Sequence, residues 1–256
     1  MNRPRLTVIT LTLNEEANIR ACLESVAWAD ELIVVDSGST DATVAIAREF
    51  TPHVHSIAWP GYGAAKNYAL DRAAGEWILW LDADERVTPE LAEEIRAMLQ
   101  RSEVAVSGFE VARRAYFLGK WICHCGWYPA RVVRIFRKER GRVSDLRVHE
   151  RLELKGEVAI TRNDLLHYTD PNLHHYLGKF NRYTSLAAED LDRAGRGVRI
   201  LDLSLRPLFQ FVKMYFLRRG FLDGVPGFIL CVLSAAYVFT KYAKLWERRQ
   251  NPPAGE

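Results

Sequence analysis

The sequence predicts an α/β fold: a mostly parallel sheet flanked by helices, followed by a helical C-terminal extension. Three observations carry this expectation. The first 100 residues alternate between short apolar runs of strand length and amphipathic runs of helix length. From about 108 to 170 the pattern changes to short strands and turns, and from 172 onward it is helical and basic. The apolar content of 48% in 256 residues is enough to build an ordinary core.

Taken in order, Leu6–Leu11 is rich in β-formers, and Asn14 offers an N-cap ahead of Ile19, Leu23 and Val26, which share one helical face. Glu31–Asp36 (ELIVVD) has the continuous apolarity of a buried parallel strand and stops at Ser37-Gly38-Ser39. Ser39 or Thr40 can cap a second helix through Val44, Ile46 and Phe50. His53–Ala58 is a weaker strand and Lys66–Ala74 a third helix. Trp77–Leu81 (WILWL) is another buried strand, and Thr88-Pro89-Glu90 opens a helix with Pro at its first position and an acid in its first turn. Beyond these, Gly108–Arg113, Val132–Phe136, Glu150–Leu154 and Val158–Thr161 are short strands. The expected organisation is a catalytic domain over 1–170 and a basic, amphipathic helical region over 171–256.

Charge is divided unevenly. Residues 1–100 hold 8 Lys+Arg and 16 Asp+Glu, a net of −8, whereas the remainder holds 27 basic and 16 acidic groups, a net of +11. An acidic half can recruit cations, and a basic half suits an anionic partner. Four cysteines are too few and too scattered for a disulfide framework, and the N-terminal apolar run meets acids without a cleavage site, so a reduced, cytoplasmic setting is expected. Cys123-His124-Cys125 lacks the four-ligand spacing of a structural zinc site.

In a parallel sheet, ligands sit beyond the carboxyl ends of the strands. Two of those ends carry acids here. Asp82-Ala83-Asp84 directly follows a hydrophobic strand, where its carboxylates can share a hard divalent cation that also grips a diphosphate; a solvated turn capping the next helix is the alternative. Asn14-Glu15 follows the first strand, Asp36-Ser37-Gly38-Ser39-Thr40-Asp41 the second, and Lys66-Asn67 opens the third helix. Together they form an acidic, amide-rich cup with one lysine. No Gly-rich phosphate loop follows the first strand, which argues against both a nucleotidyltransferase and a dinucleotide-dependent oxidoreductase. A membrane-surface protein that binds the same ligand without turnover is the non-enzymatic alternative.

The segments TLNEE (12–16), VVDSGSTDAT (34–43), AKNYAL (65–70) and WLDADE (80–85) resemble glycosyltransferase family 2, with its GT-A fold. RVHERL (147–152), LLHY (165–168) and the basic KYAKLWE (241–247) look like the bacterial lipopolysaccharide-core branch, which includes β-glucosyltransferases of inner-core heptose. The resemblance implies an inverting hexosyltransferase using a nucleoside-diphosphate sugar, a UDP-sugar, with Mg²⁺ or Mn²⁺. Leu11, Thr12, Asn14, Glu15, Asp36 and Ser37 would hold the nucleoside, and Lys66 and Asn67 would close around the donor. Asp82, Ala83 and Asp84 would hold it through the cation, with His167 completing the metal shell. Leu11 and Leu13 stand where many members have Pro and an aromatic residue. Glu150 matches the position of the catalytic base, with Asp145 in reserve; pairing with Arg147 or Arg151 is its structural alternative.

The partners implied are the sugar donor and a lipid-linked saccharide such as lipopolysaccharide inner core, with no nucleic acid. Val225–Thr240 is an apolar run of only 16 residues, about 24 Å as a helix against a bilayer core of about 30 Å. It is therefore expected to pack on a neighbouring helix or lie in the interface of an anionic membrane at the inner face; the core helix of a homodimer is the alternative.

Overall fold

The computed structural model describes residues 6–101, 104–144 and 152–250. The chain divides into two compact units, one of Met1–Arg113 with Ala130–His167 and one of Arg114–Pro129 with Tyr168–Glu256. Residues 114–129 group with the C-terminal residues.

The first unit begins with β1 (Leu6–Thr12), α1 (Ile19–Glu24), β2 (Glu31–Asp36), α2 (Thr43–Ala47), β3 (Val54–Ser56), α3 (Tyr62–Arg72) and β4 (Trp77–Trp80). It continues through β5 (Glu85–Val87), α4 (Pro89–Leu99) and β6 (Gly108–Phe117). A two-residue β7 (Lys120–Trp121), which belongs to the second unit, comes before β8 (Ala130–Arg137), β9 (Gly141–Val143), β10 (Leu152–Leu154), β11 (Val158–Ile160) and β12 (Leu165–Asp170) in the chain. Strands follow the order β3-β2-β1-β4-β8-β6-β12-β5. The four at the β3 end are mutually parallel, and β8 runs antiparallel to β4.

Alternation explains why WILWL can be apolar throughout. Trp77 and Leu79 pack on one face of the sheet with Leu6, Val8 and the α4 residues Leu91, Ile95 and Met98. Ile78 and Trp80 pack on the other with Ile9, Ile33, Val35 and the α3 residues Ala69 and Leu70. Helix α4 starts as its sequence dictates, with Pro89 inside the first turn and the Thr88 hydroxyl accepting from Leu91 N at 3.2 Å. The expected cap at Asn14 is not formed. Helix α1 begins four residues later than that cap would set it, with Asn18 at its N-cap, and Asn14 adopts a left-handed φ of 53° in the preceding loop.

The second unit contains α5 (Leu173–Arg193), α6 (Ile200–Leu203), α7 (Leu205–Val212), a π-helical turn over Lys213–Leu217, a 3₁₀ turn over Gly220–Asp223 and α8 (Gly224–Gln250). The last helix runs 27 residues, well past the apolar stretch ending at Thr240. Pro226 is tolerated because it lies in the first turn, where its missing N–H costs no helical bond. Asp223 anchors the preceding loop of this unit: its carboxylate accepts from Cys123 N at 3.2 Å, His124 N at 2.8 Å and His124 Nδ1 at 3.0 Å. The Cys-His-Cys stretch thus wraps a carboxylate.

Candidate active site

Register brings the acids together. Asp36 closes β2 opposite Thr12 at the end of β1, and Leu81 N, just past β4, donates to Ile9 O of β1 at 3.0 Å. The turns carrying Asp36 and Asp82–Asp84 therefore leave the same carboxyl edge, on either side of β1. Between those acids, Ala83 is buried against Ile19, Leu23, Val34 and Ala47, so the small middle residue of the D-A-D triplet anchors the turn in the core.

The three acids of the β4–β5 turn take different surroundings. Glu85 is fully buried. It receives Asp82 N at 3.2 Å, the Arg134 guanidinium at 2.6 Å and Arg113 at 3.6 Å. Arg134, on β8, also pairs with Asp82, so one buried guanidinium bridges two carboxylates. Burial pushes the Glu85 carboxyl above its ordinary range, and the neighbouring Asp82 charge adds to that, against the pull of Arg134. Desolvation opposes ionisation of Asp82 too, but Arg134 and then Lys66 outweigh it and hold its carboxyl below the usual range. Asp84 meets His167, Oδ2 to Nε2 at 3.3 Å. The contact follows from β12 pairing with β5, which sets His167 opposite Glu85, one residue from Asp84.

Several motif residues use their polar atoms within the scaffold instead. Asp36 is 2% exposed and accepts from Gly38 N at 3.0 Å, Ser39 N and the Ser39 hydroxyl. Asn14 accepts from Thr40 N at 2.9 Å and gives its own N–H to Ser39 Oγ, while Glu15 N donates to Thr43 Oγ1 at 2.8 Å. These bonds clasp the loops after β1 and β2 together. Ser37 N donates to Thr12 O at 3.0 Å. Asn67, expected to face the donor, is buried and exchanges two bonds with the Val143 backbone, Nδ2 to O at 2.9 Å and N to Oδ1 at 3.1 Å. Lys66 lies over the Trp80 ring at 4.3 Å. The Thr12 hydroxyl is buried at the rim with no hydrogen-bond partner among the described residues, and Leu11 packs into the core beneath. Leu13 is half-exposed at the strand end. Glu150 and Asp145 lie outside the described residues.

Among the described residues no group of three or more His, Cys, Asp and Glu side chains is arranged to hold a metal on its own. A pair such as Asp84 with His167 fits a different design, in which the protein gives one or two ligands and substrate phosphates and water give the rest. The sequence led to the expectation of Asp84 and His167 as metal ligands, and the structure sets the two 3.3 Å apart. Sequence reasoning missed Arg134 as the partner of Asp82 and Glu85 as the buried hub, because both are set by cross-strand neighbours.

The sequence model of Glycosyl transferase family 2 matches residues 7–149. The chain belongs to this family. Along 250 residues it is 32% identical to the lipopolysaccharide core biosynthesis glycosyltransferase LpsC of Rhizobium meliloti, covering 95% of this chain and 92% of the relative. It is 28% identical over 260 residues to an uncharacterized glycosyltransferase of Rickettsia typhi, covering 95% and 87%. Among solved structures it is similar to the mannosyltransferase PcManGT of Pyrobaculum calidifontis, determined with GDP-Man and Mn²⁺, with a TM-score of 0.52 at 18% identity over 96% of this chain and 88% of that one. The fold is GT-A, and the family 2 chain is a glycosyltransferase that draws on a nucleotide-sugar donor.

Proposed function

We propose that this glycosyltransferase moves a hexose, glucose, from a UDP-sugar to a lipid-linked saccharide such as lipopolysaccharide inner core, with inversion at the anomeric carbon and with Mg²⁺ or Mn²⁺. The observation that carries the reading is the Asp84–His167 pair at 3.3 Å on the sheet edge that also bears Asp36. Asp84 and His167 would hold the cation, with Asp82 beside them. When bound, the cation neutralises charge on the diphosphate as it leaves. The clasped loops after β1 and β2 form the nucleoside side of the site, where the unpartnered Thr12 hydroxyl is a ready hydrogen-bonding group. Lys66, close enough to Asp82 to lower its pKa, supplies positive charge near the phosphates. Glu150 takes the acceptor hydroxyl proton as that oxygen bonds to the anomeric carbon and the bond to the diphosphate breaks. Its assignment rests on its place in the RVHERL motif.

Extensive likeness to LpsC along nearly the whole chain supports the lipopolysaccharide-core acceptor. The test is UDP-glucose hydrolysis and transfer to purified core acceptor, with Mn²⁺ or chelator, for the parent, Asp84→Ala and Glu150→Gln. Loss of both activities in Asp84→Ala or with chelator is expected. Glu150→Gln should lose transfer and keep donor binding. Full transfer by Asp84→Ala overturns the metal assignment, and donor binding by GDP-mannose in preference to UDP-glucose overturns the donor.

A further inference from the structure

The second unit has a surface its own packing does not account for. Of the 23 large apolar side chains that are exposed among the described residues, 18 belong to this unit and 10 lie between residues 200 and 225. Helix α7 has no buried residue at all, yet Leu205, Leu208 and Phe209 are 56–61% exposed along it. Phe216, Leu217, Phe221 and Leu222 extend the same composition through the two turns that follow. Exposed apolar side chains concentrated in one segment to this degree point to an interaction site.

Charge within the segment has a single sign. Between Asp202 and Asp223 the sequence holds Arg206, Lys213, Arg218 and Arg219 and no acid. The two bounding acids are buried and engaged: Asp202 accepts from Arg199 N at 2.9 Å and pairs with Arg206, and Asp223 holds the 123–124 loop. Lys213 and Arg218 also line a cavity of about 280 Å³ with Trp127, Gln210 and Ser234. An aromatic, two cations and two neutral polar groups suit a phosphate-bearing headgroup.

We propose that residues 200–225 are a docking surface for an anionic bilayer, with Leu205, Leu208, Phe209, Phe216 and Leu217 entering the interface and the Lys213–Arg218 cavity taking a lipid phosphate. This deepens the reading of a lipid-linked acceptor, while its geometry stands independently of the donor site. A second copy fits less well: a two-fold contact sets the same patch against itself, and this patch has cations without exposed acids to meet them. Residues 220–250 are long and apolar enough to cross a membrane, with a mean hydropathy of 1.8 in their most apolar window. The far end of that helix is committed elsewhere. Lys244 Nζ donates to Asn181, Thr184 and Ser185, and Arg248 and Arg249 pair with Glu189 and Asp192, all on α5. Threading α8 through hydrocarbon would strip or drag in these groups, so it lies along the surface.

The experiment is flotation of the purified full chain with vesicles of phosphatidylcholine alone or with added phosphatidylglycerol, at low and high salt. The variants are Leu208→Ser/Phe209→Ser/Leu217→Ser and Lys213→Glu/Arg218→Glu, with UDP-glucose hydrolysis measured in parallel without vesicles. The parent should bind the anionic vesicles at least tenfold more tightly than the neutral ones, and each variant should lose at least tenfold while hydrolysing donor normally. Equal partition into neutral vesicles, or unchanged flotation of the apolar variant, overturns the proposal. So does a parent that is dimeric, ignores vesicles and becomes monomeric in that variant, since a second copy then covers the face. Vesicle binding without donor hydrolysis in the parent faults the donor reading and leaves the docking surface standing.

Discussion

Replacing Arg134 by Met removes the guanidinium that bridges Asp82 and the fully buried Glu85, while keeping most of the apolar stem volume. Breaking a buried ion pair by deleting one partner costs ~3–5 kcal/mol, because the remaining charge stays out of water. Arg113 remains within 3.6 Å of Glu85, and Glu85 can take up a proton, so the lower end applies. The expected loss is about 3 kcal/mol. For a chain of this size ~1 kcal/mol shifts the melting temperature by roughly 2–4 °C, which gives a drop of about 6–12 °C. Urea unfolding followed by tryptophan fluorescence and a thermal melt read both quantities. A second variant separates the cause: Arg134→Met with Glu85→Gln removes the stranded charge and should recover at least half of the loss. A single variant within ~1 kcal/mol of the parent, or a double variant worse than the single, refutes the view of Glu85 as a charge held in place by Arg134.

Asn67→Ala should cost about 2–4 kcal/mol in urea unfolding, because both Val143 backbone groups lose their partner in a buried site; unchanged stability with lost donor binding would instead put Asn67 on the ligand. At Gly63 an added Cβ would sit 2.7 Å from Ser144 O, so Gly63→Ala should destabilise by about 1–3 kcal/mol, and an unshifted melt would contradict that close approach. Burial pushes the Tyr176 hydroxyl up to about 12, so its folded pKa lies above the unfolded value of about 10. Its contribution is complete below about pH 10 and is lost as pH rises towards 12, because the unfolded state releases the proton first. Ultraviolet titration of the parent minus Tyr176→Phe should show one late-ionising phenol, and an ionisation near pH 10 would refute its burial.

The parallel half of the fold was legible because its signals are local. ELIVVD is the whole of β2, and WILWL lacks only its last residue from β4, since both are apolar runs closed by turn residues. Helix α4 was marked by Thr88 and Pro89 at its start and by a regular apolar face. The elements that escaped are those whose existence depends on a partner. Glu85–Val87 is strand only because β12 lies alongside, and Leu165–Asp170 is strand for the same reason. Helix α8 was underestimated because apolarity stops at Thr240, whereas its last turns are held by ion pairs to α5 that no reading of α8 alone could supply. Asn14 misled for the opposite reason. Its type suits a cap, but its left-handed backbone and the clasp to Thr40 used it one loop earlier.

The same distinction between local and cross-strand signals divides the site. Family motifs pointed to Asp36, Asn67, Asp82 and Asp84 as one polar cup, and register brings the ends of the strands before Asp36, Asp82 and Asp84 to one edge. Yet Asp36 and Asn67 use their polar atoms on their own turn and on Val143, and Glu85 uses its charge inside the sheet. What such residues share is a need for a polar side chain at a fixed place, and holding a loop in shape satisfies that need as fully as touching a ligand does. A motif acid that stabilises the scaffold and one that grips the donor would both abolish transfer when replaced. Only stability measured beside activity separates them: Asp36→Ala and Asn67→Ala should lose both together, whereas Asp84→Ala, whose carboxylate meets the half-buried His167 of the neighbouring strand, should lose transfer with little change in unfolding. Equal destabilisation by Asp84→Ala would move that residue to the scaffold and leave Asp82, released from Arg134, as the acid that must face the donor.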